Sequence, residues 1–165
     1  MEQKLEAYRR KRNFLKTSEP SGKEEKAVGV KKRKIFAVQL HYARTTHFDF
    51  RLEWDGVLLS WAVPKGPSFN PKDKRLAVRV EEHPLDYADF EGVIPKGEYG
   101  GGTVLLWDKG YWTETEDFAR GLEKGSLKLR LDGKRLKGGW ALVRLNDKDK
   151  AADEKENLSL IHISE

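Results

Sequence analysis

His47-Phe48-Asp49-Phe50-Arg51-Leu52-Glu53-Trp54-Asp55-Gly56-Val57-Leu58-Leu59-Ser60-Trp61-Ala62-Val63 reads as two β-strands joined by a two-residue turn. Aromatic and branched residues alternate with polar ones from His47 to Trp54, which is the period of a strand with two unlike faces. Asp55-Gly56 is the dipeptide that a tight hairpin favours, because both of its residues tolerate positive φ. Val57 to Val63 then returns and is closed by Pro64-Lys65-Gly66-Pro67.

Outward from this hairpin the same punctuation recurs. Ile35 to Leu40 precedes it, and Leu76 to Glu82 follows, closed by His83-Pro84. Thr103 to Trp107 is a further strand, with Asp108-Lys109-Gly110 expected to turn into Tyr111-Trp112. Ser126 to Leu131 is expected to turn at Asp132-Gly133, and Trp140 to Leu145 and Leu158 to Ile163 complete the set. About eight short strands with turn residues between them predict a mainly β protein, a compact antiparallel β-barrel. Short helices are expected near Glu2 to Asn13 and Thr115 to Leu122. The five tryptophans are read as core packing.

The chain of 165 residues can bury a core. It has no cysteine, which excludes disulfides and thiolate metal sites. No apolar run approaches a membrane span and no signal segment is visible, so a cytoplasmic protein without membrane contact is expected. Residues 1–34 hold 12 Lys and Arg against 5 Asp and Glu, a balance of +7 within a net charge of +5. This predicts a basic, partly flexible arm over 1–34 and a barrel domain over 35–165. Such an arm is either a solvated tail or a track for phosphates.

Side-chain parity picks out candidate chemistry. His47, Asp49 and Arg51 share one face of their strand, Gln39 and His41 one face of the preceding strand, and Arg79, Glu81 and His83 one face of the fourth. Two neutral imidazoles and a carboxylate make a three-ligand set with open positions for a divalent ion. Asp49 is the carboxylate, and two of His41, His47 and His83 complete the set. Arg51, Lys65 and Arg75 add the cations that hold a phosphoryl group, and the Tyr87 hydroxyl adds a donor. Gly97-Glu98-Tyr99-Gly100-Gly101-Gly102 lacks the Lys-Ser/Thr ending of a phosphate-binding P-loop and is read as an adaptable turn. Arg130-Leu131-Asp132-Gly133-Lys134-Arg135 imitates a nucleotidyl-transfer motif, but an arginine stands where the nucleophilic lysine is needed.

These residues lie in blocks of a known type: Gln39-Leu40-His41, His47 to Glu53, Leu59 to Ser68, Lys74 to Val78, Glu81 to Tyr87 and Phe90 to Pro95. In this order they resemble the 3′-phosphoesterase domain of bacterial DNA ligase D, over roughly residues 13 to 145. The resemblance implies an antiparallel β-barrel that binds Mn²⁺, with Zn²⁺ and Co²⁺ as substitutes. It implies removal of a 3′-terminal ribonucleoside from a DNA primer–template, then of the remaining 3′-phosphate, to leave a 3′-OH for repair. By motif, His41, Asp49 and His83 are similar to the family's metal ligands. His47, Arg51, Lys65, Arg75 and Tyr87 are similar to its phosphate-binding and transition-state groups, with Gln39 and Glu81 in support.

Asn13 stands where the family often has an acidic residue, and Leu158 to His162 departs from its Trp-bearing ending. A monomeric, free-standing version is expected, serving a separate DNA ligase and polymerase. Two rivals remain at this stage: a non-catalytic DNA-end-binding barrel, and a non-haem Fe(II) oxygenase built on His47-Phe48-Asp49.

Overall fold

The computed structural model describes residues 3–22, 33–145 and 156–164. Its strands are β1 (Lys34–Tyr42), β2 (Thr46–Trp54), β3 (Val57–Val63), β4 (Arg75–His83), β5 (Gly92–Ile94), β6 (Gly102–Glu114), β7 (Ser126–Gly133), β8 (Lys137–Arg144) and β9 (Asn157–Ser164). All pairings are antiparallel, in the order β1-β2-β3-β4-β9-β8-β7-β6, and a β1–β6 pairing closes the cylinder. The expected eight-stranded barrel is therefore present. The short β5 adds to the edge of β6 and was not visible in the sequence, since three residues carry no period. Two α-helices, α1 (Glu6–Arg10) and α2 (Phe118–Lys124), and two 3₁₀ turns, Gln3–Leu5 and Leu85–Asp89, complete the described elements. No described helix is long and apolar enough to cross a membrane.

The lumen is filled by one parity set. Phe36, Val38, Phe50, Leu52, Trp61, Trp112, Leu129, Trp140 and Leu160 form a single buried cluster. The opposite parity of β1, β2 and β3 is buried too, on the outside of the barrel, beneath α1 and a 3₁₀ turn at Leu85–Asp89. There Tyr8, Ala37, Leu58, Tyr87 and Phe90 make a second apolar cluster. The Asp55-Gly56 turn is a hairpin as read, with φ of 51° and 84°.

One expectation changes. The Asp108-Lys109-Gly110 segment does not turn, because β6 runs unbroken to Glu114. Gly110 is small because the backbone of Asp132 crosses it, and a Cβ there would overlap the Asp132 carbonyl. Asp108 instead secures the real turn between β7 and β8. Its carboxylate accepts backbone N–H bonds from Lys109 and Lys134 (both 2.9 Å), Arg135 (3.2 Å) and Leu136 (2.8 Å). Replacing Asp108 with alanine strands these donors, one of them buried, and is expected to cost about 2–3 kcal/mol in urea unfolding. An unchanged midpoint would refute that role.

The arm expected over 1–34 is described over 3–22 and 33–34. Its first stretch is packed against the barrel: Tyr8 is fully buried, and Thr17 and Glu19 are buried beside it. The rest of the basic run, 23–32, lies outside the described residues.

Candidate metal and phosphate site

Register places the functional side chains. His41 pairs with His47 across β1 and β2, Gln39 with Asp49, and Ala37 with Arg51; Arg51 in turn faces Ser60 of β3. All of these lie on the outer face, where a cavity of about 320 Å³ is roofed by the N-terminal segment and the loop after β5. His41, His47, Asp49, Arg51, Glu81, His83 and Tyr87 line it, together with Arg12 and Tyr99.

Among the described residues, His41, His47 and Asp49 form the group able to share one ion, with ligand atoms all within 4.8 Å of one another. The imidazoles are held from behind by backbone carbonyls. His41 Nε2 lies 2.6 Å from the Gly100 oxygen, and His47 Nδ1 lies 3.0 Å from the Thr45 oxygen. A ring nitrogen facing a carbonyl must carry the proton, so in each neutral ring the inward nitrogen keeps its lone pair. Those inward atoms, His41 Nδ1 and His47 Nε2, lie 3.6 and 3.3 Å from the Asp49 oxygens. Two lone pairs and a carboxylate converging on one point fit a divalent ion.

Burial opposes ionisation of Asp49, but Arg51 at 3.5 Å more than offsets it, aided by the two histidines whenever their inward nitrogens take up a proton, so its carboxyl stays well below the usual range. The hydrogen bond that Asp49 accepts once His47 Nε2 is protonated raises the His47 pKa.

This group is not the set His41, Asp49 and His83 that the resemblance implied. His83 lines the cavity outside the three-residue group, while His47, expected among the phosphate-binding groups, falls inside it. His83 Nδ1 donates to the Glu81 carbonyl at 2.9 Å, leaving Nε2 as an acceptor 3.4 Å from the Arg12 guanidinium. Burial, then Arg51 and Arg12, press its pKa well below the ordinary histidine value. The unfolded chain therefore binds a proton at this residue more readily than the native one. Stability from a neutral His83 is present above about pH 6.5 and declines as pH falls below it, by at most about 1.4 kcal/mol per pH unit. In chelator-treated protein, the wild type should lose more stability between pH 7 and 5 than His83→Gln does. Parallel pH profiles would contradict this.

The remaining predicted residues divide. Gln39 donates to the carbonyls of Tyr87 (2.7 Å) and Phe90 (2.9 Å) and accepts from Arg51 Nε (2.7 Å), so it aims Arg51 without lining the cavity. Arg51 Nη1 donates to Ser60 (2.9 Å). Tyr87 donates its hydroxyl to Glu19 at 2.6 Å rather than presenting it to the cavity. Glu81 accepts from Lys11 at 3.2 Å and lies 3.4 Å from Arg12. Lys65 and Arg75 stand off the cavity, at the β3–β4 end beyond His47. There Arg75 donates to the Lys65 carbonyl at 3.0 Å.

Sequence reading missed Arg12 and Glu19. Arg12 Nε donates to Glu19 at 3.0 Å, its Nη1 donates to the Tyr8 carbonyl at 3.0 Å, and its guanidinium lies 4.0 Å from the Tyr8 ring centre. Nothing in Arg9-Arg10-Lys11-Arg12 marks the last as buried, although Tyr8 and Arg12 at i, i+4 share a helical face.

Comparison with known proteins now decides the family. Residues 39–144 match the model described as the DNA Ligase D 3′-phosphoesterase domain. The chain is 55% identical over 144 residues to the multifunctional non-homologous end joining protein LigD of Pseudomonas aeruginosa, covering 86% of this chain and 17% of that protein. It is 46% identical over 143 residues to the corresponding DNA repair protein of Mycobacterium tuberculosis, covering 87% and 18%.

The chain belongs to the DNA ligase D 3′-phosphoesterase family.

It spans less than a fifth of the length of these two relatives. Family membership agrees with the cavity, where a group fit for a divalent ion sits beside two buried guanidiniums. Arg51 has five N–H donors, uses two on Gln39 and Ser60 and pairs with Asp49 at 3.5 Å, which leaves donors for an anion.

Proposed function

We propose that this protein is a metal-dependent DNA 3′-end-healing phosphoesterase. It removes a 3′-terminal ribonucleoside from a primer–template and then the 3′-phosphate, leaving a 3′-OH. The observation that carries this reading is the pair of inward imidazole lone pairs facing Asp49, beside Arg51 and Arg12. His41, His47 and Asp49 would hold the ion, most plainly Mn²⁺, with Zn²⁺ or Co²⁺ able to replace it. When bound, the ion supplies charge neutralisation at the scissile phosphate.

The protein's own groups do the rest. Arg51 and Arg12 clamp non-bridging oxygens at a fixed distance from the ion site, which orients the phosphate before reaction. Lys65 and Arg75 hold the incoming strand at the β3–β4 rim. His83, kept neutral with Nδ1–H on the Glu81 carbonyl, offers only a lone pair. That lone pair faces the Arg12 guanidinium at 3.4 Å, so His83 helps hold this cation toward the phosphate and does not protonate the leaving group. Gln39, Glu81 and Tyr87 fix the two arginines and His83. Glu19, reached by Tyr87 and Arg12 together, ties the roof to the site.

The named relatives are non-homologous end joining proteins. By analogy this chain processes DNA ends in the prokaryotic cytoplasm, at the nucleoid, as a monomer beside ligase and polymerase activities. A 5′-labelled primer–template ending in one ribonucleotide tests the reading. With Mn²⁺ the label should pass through a 3′-phosphate species to a 3′-OH species, and with chelator it should not move. Metal-independent cleavage, or binding without cleavage, would reject it.

A further inference from the structure

We propose that Tyr99 is the stacking platform for the 3′-terminal nucleoside. It thereby favours a diester that still carries that nucleoside over a bare terminal phosphate. This deepens the phosphoesterase reading and rests on it.

Tyr99 lines the cavity yet remains 45% exposed, an unusual position for a large ring beside a buried charged site. Two cations lie against the ring: Lys11 Nζ at 4.8 Å and the Arg12 guanidinium at 5.4 Å from the ring centre. Its hydroxyl meets Lys11 Nζ at 3.4 Å. The backbone beneath it is fixed. Glu98 N donates to the Pro95 carbonyl at 3.1 Å and Gly101 N to the Glu98 carbonyl at 3.0 Å, while the next residue, Gly100, holds His41. A ring on a rigid loop, backed by cations and open to solvent, is what a nucleobase stacks upon.

Register says which nucleoside reaches it. Along the outer face the order is Gly100 against His41 of β1, then His47 of β2, then the Pro64-Lys65 end of β3, since Phe48 pairs with Val63. The ion group thus lies between Tyr99 on one rim and Lys65 with Arg75 on the other. A strand tracked by Lys65 and Arg75 puts its terminal phosphate at the centre. Whatever hangs beyond that phosphate falls on the Tyr99 rim. In a diester that group is the terminal nucleoside; in a 3′-phosphate nothing remains there.

The test compares wild type, Tyr99→Ala and Tyr99→Phe on two primer–templates, one ending in a ribonucleoside and one in a 3′-phosphate, with Mn²⁺ present. Tyr99→Ala should raise KM for the ribonucleoside-ended primer roughly tenfold, the size of a lost base–aromatic stack. KM for the phosphate-ended primer should change less than about twofold, since no stacked base is lost there. That second value also reports that the variant is folded. Tyr99→Phe should behave as wild type. Equal shifts on both primers, no shift on either, or a Tyr99→Phe defect matching Tyr99→Ala would overturn the assignment, the last by placing the effect in the hydroxyl–Lys11 contact. Failure of the wild type on both primers would instead overturn the phosphoesterase reading and this inference with it.

Discussion

Asp49→Asn is expected to lose Mn²⁺ binding and turnover together. The amide matches the carboxylate in shape, so the barrel should still close; what disappears is a full negative charge at the point where two imidazole lone pairs meet. Removing an outer partner of a metal ligand typically costs 10–100-fold in affinity, and removing the carboxylate itself should cost more than about 100-fold. A second effect reinforces the first. Asp49 is the anion nearest Arg51, at 3.5 Å, and it raises the His47 pKa. Without it the cavity holds Arg51 and Arg12 with less compensation, which disfavours a divalent cation further. Calorimetric titration with Mn²⁺ and the primer assay should fail in parallel. Normal turnover by Asp49→Asn would remove Asp49 from the ion site altogether.

Arg12→Met is expected to damage stability and activity at once. The side chains of Arg12 and Glu19 are 5% and 0% exposed, and their ion pair measures 3.0 Å. Breaking a buried pair from one side leaves the other charge stranded, at a cost of about 3–5 kcal/mol. For a chain of this size that corresponds to a fall in melting temperature of roughly 6–20 °C. Glu81 also loses a partner, and the Nε2 of His83 loses its donor. The double variant Arg12→Met/Glu19→Gln should recover part of the lost stability but none of the catalysis, because the cation facing the phosphate is still missing. A single variant that melts with the wild type would show that the pair contributes little.

The barrel was legible because its signals are local. Alternation along β2 and the Asp55-Gly56 turn fix a hairpin without reference to anything distant, and the parity of His41, His47, Asp49 and Arg51 follows from that hairpin. The assignment of ligands was less accessible. His47 and His83 offer the same chemistry as sequence and part only in space, His47 toward Asp49 and His83 toward the Glu81 carbonyl and Arg12. Arg12 and Glu19 were hidden for a different reason. They lie in a segment whose composition is that of a solvated tail, and their burial depends on Tyr8 and Tyr87 closing over them from elements about 80 residues apart. Asp108-Lys109-Gly110 misled because a turn signal records what residues tolerate. Here that tolerance serves a crossing strand and a neighbouring turn.

The reactive groups are mounted on the outer wall of a cylinder whose inside is solid with Trp61, Trp112 and Trp140. Foundation and workshop are therefore separate rooms. A lineage could exchange the roof or the residues of the cavity rim without disturbing the tightly fitted interior. Conversely, a repacked interior could raise heat resistance while leaving the choice of terminus alone.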